Sequence, residues 1–92
     1  MKNYPVIHPE LTWRLLDGEA VIVSPTSGEI RVLNHVGTKI WQLIVDSHTV
    51  EDIEQVLVNQ YKLSPQQAKA DVSAFLEDLL ERGLIIWKTP VQ

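Results

Sequence analysis

Few side chains in this sequence have the types and spacing that chemistry requires. Three histidines, His8, His35 and His48, stand far apart with no i/i+4 pair and no cysteine beside them. A locally built metal site needs its ligands at short, fixed intervals, so all three read as ordinary surface or capping histidines and no metal ligand is assigned. The chain has no cysteine to act as a nucleophile, and no Gly-x-Ser-x-Gly elbow supports a serine. Glu51-Asp52 and Glu77-Asp78 are adjacent acids. Adjacent residues on a helix do not face one another, so both pairs read as solvated helix faces rather than as acid/base couples. The 4 glycines fall at turns, a helix start and a helix end, leaving no phosphate-cradling loop. The expectation is a protein with no catalytic residues, no metal and no cofactor.

The aromatic residues carry a different message. Trp41 follows Ile40 inside an apolar helical pattern and is expected in the core. Trp13 and Trp87 lie near strand ends, where a half-buried role and a binding role are both open. The three are scattered along the chain, outside any basic stretch of the kind that a single-strand nucleic-acid platform interleaves with its aromatics.

The elements that would position these groups follow from periodicity and punctuation. Residues 1–10, with Pro5 and Pro9 and no periodicity, read as an extended arm. Leu11 to Leu16 and Glu19 to Ser24 form two strands around Asp17-Gly18, a strong hairpin signal. The unbroken apolar run Ala20-Val21-Ile22-Val23 suggests burial on both sides. Pro25-Thr26-Ser27-Gly28 turns the chain into a third strand, Glu29 to Leu33. Three helices follow, capped by Asn34, by Thr49 with acids in its first turn, and by Ser64 ahead of Pro65. Gln67 completes a Ser-x-x-Gln capping box at the third, and Gly83 ends that helix. Leu84 to Lys88 reads as a short strand or a packed tail. The order βββααα is that of a small α+β domain with its helices on one face of an antiparallel sheet.

Composition sets the outer limits. At 92 residues there is room for one domain, and 45% hydrophobic against 22% charged residues can build a core without disulfides. The N-terminus lacks the apolar core of a signal peptide and no run reaches membrane-spanning length, so cytoplasm is the expected compartment and no membrane partner is expected. A formal charge of −4, with basic residues scattered singly, disfavours nucleic acid.

One feature offers a function. Outer strands of a meander expose unpaired N–H and C=O groups, and proteins usually blunt such edges with proline, lysine or a bulge. Glu29 to Leu33 contains no proline, lysine or glycine. Alternation puts Ile30 and Val32 on one face and Glu29, Arg31 and Leu33 on the other. Such an edge can accept an extended peptide as a further strand. It can equally pair with the chain's own N-terminal arm, with the 84–88 tail, or with a second copy in a homodimer.

Asp17-Gly18, Ser27-Gly28, Val32-Leu33-Asn34, Gly37 and Ile40-Trp41 stand in an order that resembles the PqqD-like family. Thr49-Val50 with Ile53, Leu57 and Tyr61 continues the pattern, as do Asp71-Val72, Phe75-Leu76, Leu79 and Gly83-Leu84. The resemblance spans nearly the whole chain, and it implies a winged helix-turn-helix-like domain at 11–88, with 89–92 as a tail. It also implies a RiPP recognition element, a non-catalytic module that binds the leader segment of a ribosomally made precursor peptide. In that family the leader lies antiparallel along the third strand, beside the third helix, and a leader peptidase or other modifying enzyme then acts on it. The Thr26-Ser27-Gly28 turn resembles the stand-alone leader-binding proteins of lasso-peptide pathways more than the founding member, which serves a radical-SAM enzyme.

Carried onto this chain, the resemblance places the peptide-binding strand on Glu29, Ile30, Arg31, Val32 and Leu33, with Ile30 and Val32 facing the leader. On the third helix it places Val72 and Phe75 at an apolar floor, Lys69 and Asp71 at a polar rim, and Leu76 and Leu79 in the core. Arg31 departs from the apolar or aromatic residue usual there and reads as a rim contact. The element order also fits a winged-helix DNA-binding regulator. Against that, Pro65 to Arg82 holds Lys69 and Arg82 against Asp71, Glu77, Asp78 and Glu81, an acidic balance that phosphates repel.

Overall fold

Two tight turns and three capped helices fix the path of the chain. The computed structural model describes residues 4–88; the first three residues of the arm and the tail at 89–92 lie outside the described residues. In chain order the elements are β1 (Tyr4–Ile7), β2 (Thr12–Leu16), β3 (Glu19–Val23), β4 (Ile30–Val32), α1 (His35–Val45), α2 (Val50–Tyr61), α3 (Pro65–Glu81) and β5 (Ile85–Lys88). Asp17 and Gly18 take φ of 53° and 80° between β2 and β3, the paired left-handed conformation that matches strand twist in a two-residue hairpin. The side chains of Asn34, Thr49 and Ser64 each accept the backbone N–H three residues on, at 2.8, 3.1 and 3.1 Å. Gln67 does not close the expected box: its Nε2 donates to Asp71 Oδ1 at 2.7 Å instead. At the end of α3, Gly83 takes φ 72°, and Gly83 N and Leu84 N return to the carbonyls of Leu80 and Leu79, satisfying acceptors the last turn would leave open.

β2, β3 and β4 form the expected antiparallel meander, in the order β2-β3-β4, and the α+β class follows from the three helices packed on it. Its register sets Trp13, Ile22 and Arg31 side by side, and Arg14, Val21 and Val32 side by side. Residues directly opposite across a ladder share a face. One face therefore carries Trp13, Ala20, Ile22, Arg31 and Leu33 toward the helices, and Ala20, Ile22 and Leu33 are buried there with Ile40, Trp41, Ile44, Ile53, Leu57, Val72 and Leu79. Trp13 meets Trp41 edge to face with centroids 6.0 Å apart. The other face is not buried as the run at 20–23 suggested. Val21 and Val23 are only half-buried, and Ile30 and Val32 are 69% and 58% exposed.

Within the arm, Tyr4–Ile7 is a strand in its own right, and the chain then turns rather than staying extended, with Leu11 N donating to His8 O at 3.1 Å. β1 pairs antiparallel with β5, Tyr4 opposite Lys88 and Ile7 opposite Ile85, in a separate two-stranded sheet. Pro5 is fully buried and Ile7 packs on the core. The two ends of the domain thus satisfy each other, and neither pairs with β4.

Candidate functional site

The outer edge of β4 is unpaired among the described residues. Which of its backbone groups are free follows from the ladder. Ser24 N donates to Glu29 O and Leu33 N donates to Ala20 O, both at 2.9 Å. In an antiparallel pair the groups facing one neighbour alternate along the strand, so Glu29, Arg31 and Leu33 turn their backbone toward β3. Ile30 and Val32 turn theirs outward, leaving two N–H and two C=O groups ready for another strand.

Beside this edge runs a groove of about 590 Å³. The β4 side supplies Arg31, Val32 and Leu33, α1 supplies Val36, Gly37 and Ile40, and α3 supplies Asp71, Ala74, Phe75 and Asp78. Phe75 is half-buried in the groove's lining. A methyl group built on Gly37 would stand 3.3 Å from Phe75 Cε1 and 3.4 Å from Leu33 Cβ. Gly37 thus lets the ring and the strand approach α1 closely. One end of the groove is polar. Arg31 forms an ion pair with Asp78 across it, and Arg82 Nε donates to the other oxygen of Asp78 at 3.1 Å. Arg31 Nε is buried without a hydrogen-bond partner.

The residues singled out from sequence divide on inspection. Arg31, Val32, Leu33, Asp71 and Phe75 border the groove. Val72 does not: it is fully buried beneath α3, one position out of phase with Phe75. Leu76 and Leu79 are core as expected. Lys69 is exposed and outside the groove lining. Ile30 and Val32 direct their side chains to the outer sheet face by register, so their contribution at the groove is backbone. Glu29 and Ile30 line a second, smaller cavity at the start of β4.

Sequence reasoning missed Asp78, Arg82, Ala74 and Gly37. Asp78 was grouped with Glu77 as solvated, yet it is half-buried and carries both ion pairs. Counting three and four residues from Phe75 reaches Asp78 and Asp71, so the helical phase contained the signal. His8 and His48 are occupied locally, by Glu10 N and by Asp52.

An open sheet edge runs alongside a helix, with an apolar groove between them, in a small α+β domain. The chain belongs to the PqqD family: the family model described as coenzyme PQQ synthesis protein D matches residues 19–85. Two solved structures share the fold. A lasso peptide synthetase B1 complexed with the leader peptide superposes with a TM-score of 0.82 at 28% identity, covering 89% of this chain and 96% of that one. TbiB1 in complex with the TbiA(beta) leader peptide gives 0.83 at 22% identity, covering 95% and 99%, a likeness of fold alone. No curated protein matches the sequence.

Proposed function

We propose that this protein is a RiPP recognition element of the lasso-peptide type. It captures the leader of a ribosomally made precursor by strand addition to β4 and delivers it, without chemistry of its own, to a leader peptidase or another modifying enzyme. The observation that carries this reading is the free backbone of Ile30 and Val32 beside the Phe75 groove. Main-chain bonds from these two residues supply affinity, and the groove selects every second side chain of the guest. The structural neighbours, named for their leader-peptide complexes, support it. The outer sheet face, with Ile30 and Val32 exposed, Val21 and Val23 half-buried, and the whole continuous with the peptide edge, leaves an apolar surface for the enzyme that acts on the guest.

A DNA-binding role is opposed by the acidic balance of α3, and a bare dimerisation module has no use for the groove. Amide hydrogen exchange tests the proposal, with the leader encoded by a neighbouring precursor gene as ligand. Binding slows exchange at Ile30 and Val32, whose amides are free, and leaves Arg31 nearly unchanged because its amide already bonds β3. Protection that spares Ile30 and Val32 while the leader binds elsewhere overturns strand addition. Genes for a leader peptidase and an ATP-dependent cyclase beside this one would support a role in the cytoplasmic biosynthesis of a lasso peptide.

A further inference from the structure

The groove's polar end has an imbalance that the strand-addition reading leaves unused. Asp78 is shared by two guanidinium groups, Arg31 on one oxygen and Arg82 on the other. Each arginine carries five N–H donors, and the shared carboxylate occupies only part of that capacity. Beyond that ion pair, Arg31 Nε and Asp78 Oδ2 are both buried without a hydrogen-bond partner, while the Arg31 and Arg82 side chains stay 32% and 49% exposed, so the donors open to a guest are those nearer the ends of the two guanidiniums.

Both arginines also line a cavity of about 100 Å³ at the start of β4, walled by Ile22 and Leu84 and completed by Ser24 and Glu29. Glu29 is exposed there, and its carboxylate accepts from Ser27 Oγ at 3.3 Å. Apolar walls strengthen a charge-assisted hydrogen bond by keeping water away. Arg31 and Leu33 share one face of the sheet, two residues apart. A strand laid against β4 alternates in the same way. A guest side chain beside Leu33 and Phe75 is therefore followed, two residues along the guest, by one beside Arg31 and Arg82.

We propose that Arg31 and Arg82 form a carboxylate-binding subsite, which takes an aspartate or glutamate of the guest peptide two residues from its apolar anchor. This rests on the strand-addition reading. Asp78 keeps the two guanidiniums in place, the guest carboxylate takes their spare donors, and Glu29 competes weakly from the rim. The subsite fixes the register in which the guest lies, because slipping by one residue turns the carboxylate to the opposite sheet face.

The test is selection of binders to the full chain from a display library of random extended peptides. Enriched sequences are expected to pair an apolar anchor with an acid two residues away. Changing that acid to its amide in a selected peptide is expected to weaken binding about fivefold, the upper range for a partly exposed ion pair. The difference should vanish in Arg82→Gln, shrink at high salt, and widen in Glu29→Gln. Anchored peptides with no acid preference, or a preference that survives Arg82→Gln, overturn the subsite and leave strand addition standing. If no selected peptide is sensitive to Val32→Pro, strand addition fails and the subsite with it.

Discussion

Val32→Pro separates the open edge of β4 from the fold that carries it. Because Glu29 and Leu33 bond β3, the Val32 amide faces outward, and proline at this position deletes a donor that the isolated protein does not use. The side chain is 58% exposed, so little burial is lost. Proline also restricts the preceding residue to extended backbone, which Arg31 already adopts within β4. Folding stability should therefore change by no more than about 1 kcal/mol. Binding is a different matter. One main-chain hydrogen bond is worth about 0.5–1.5 kcal/mol, and the guest carbonyl left facing a proline ring costs about 1–3 kcal/mol more. Their sum, about 1.5–4.5 kcal/mol, corresponds to a loss of roughly 10- to 1,600-fold in affinity. Fluorescence anisotropy with a labelled leader measures the loss, and circular dichroism with a thermal melt establishes that the variant is folded. A folded Val32→Pro protein with undiminished affinity refutes strand addition at this edge.

Other substitutions probe the groove and its supports. Val72→Ala should cost about 2 kcal/mol in urea denaturation, as a methyl-deletion cavity in the core, and leave leader affinity essentially unchanged in the folded protein. Phe75→Ala should reverse that balance, losing about tenfold or more in anisotropy through removal of the groove floor, for a smaller stability cost than a fully buried ring would give. Asn34→Ala removes the cap on Gly37 N and should lower stability by about 1 kcal/mol, read as a shifted denaturation midpoint. At Gly37→Ala the gain in helix propensity, about 1 kcal/mol, is opposed by the 3.3 Å approach to Phe75. The expected result is near-neutral stability with weakened leader binding as the ring is displaced; unchanged binding would show that ring placement does not shape the groove.

What the sequence alone determined is local. The hairpin at Asp17-Gly18, the caps at Asn34, Thr49 and Ser64, and the stop at Gly83 are decided by residues within a few positions of one another, because each satisfies a backbone group or a φ that its neighbours cannot. The absence of proline, lysine and glycine from residues 29–33 was legible in the same way, since such edge protection is written into the strand's own residue types. Which of the candidate partners would occupy that edge was not. Residues 4–7 and 85–88 lie far apart in the sequence, and only the packed core brings them together as β1 and β5, leaving the outer edge of β4 unpaired among the described residues. The apolar face of α3 was wide enough to admit both Val72 and Phe75. Where the sheet and α1 sit against it decides that Val72 is sealed inside and Phe75 opens to the groove. Arg31 and Asp78 show the same division. From sequence Arg31 reads as a rim contact and Asp78 as part of a solvated helix face, and a bond between a strand and a helix 47 positions apart exists only once tertiary packing sets the strand's inner face opposite the helix.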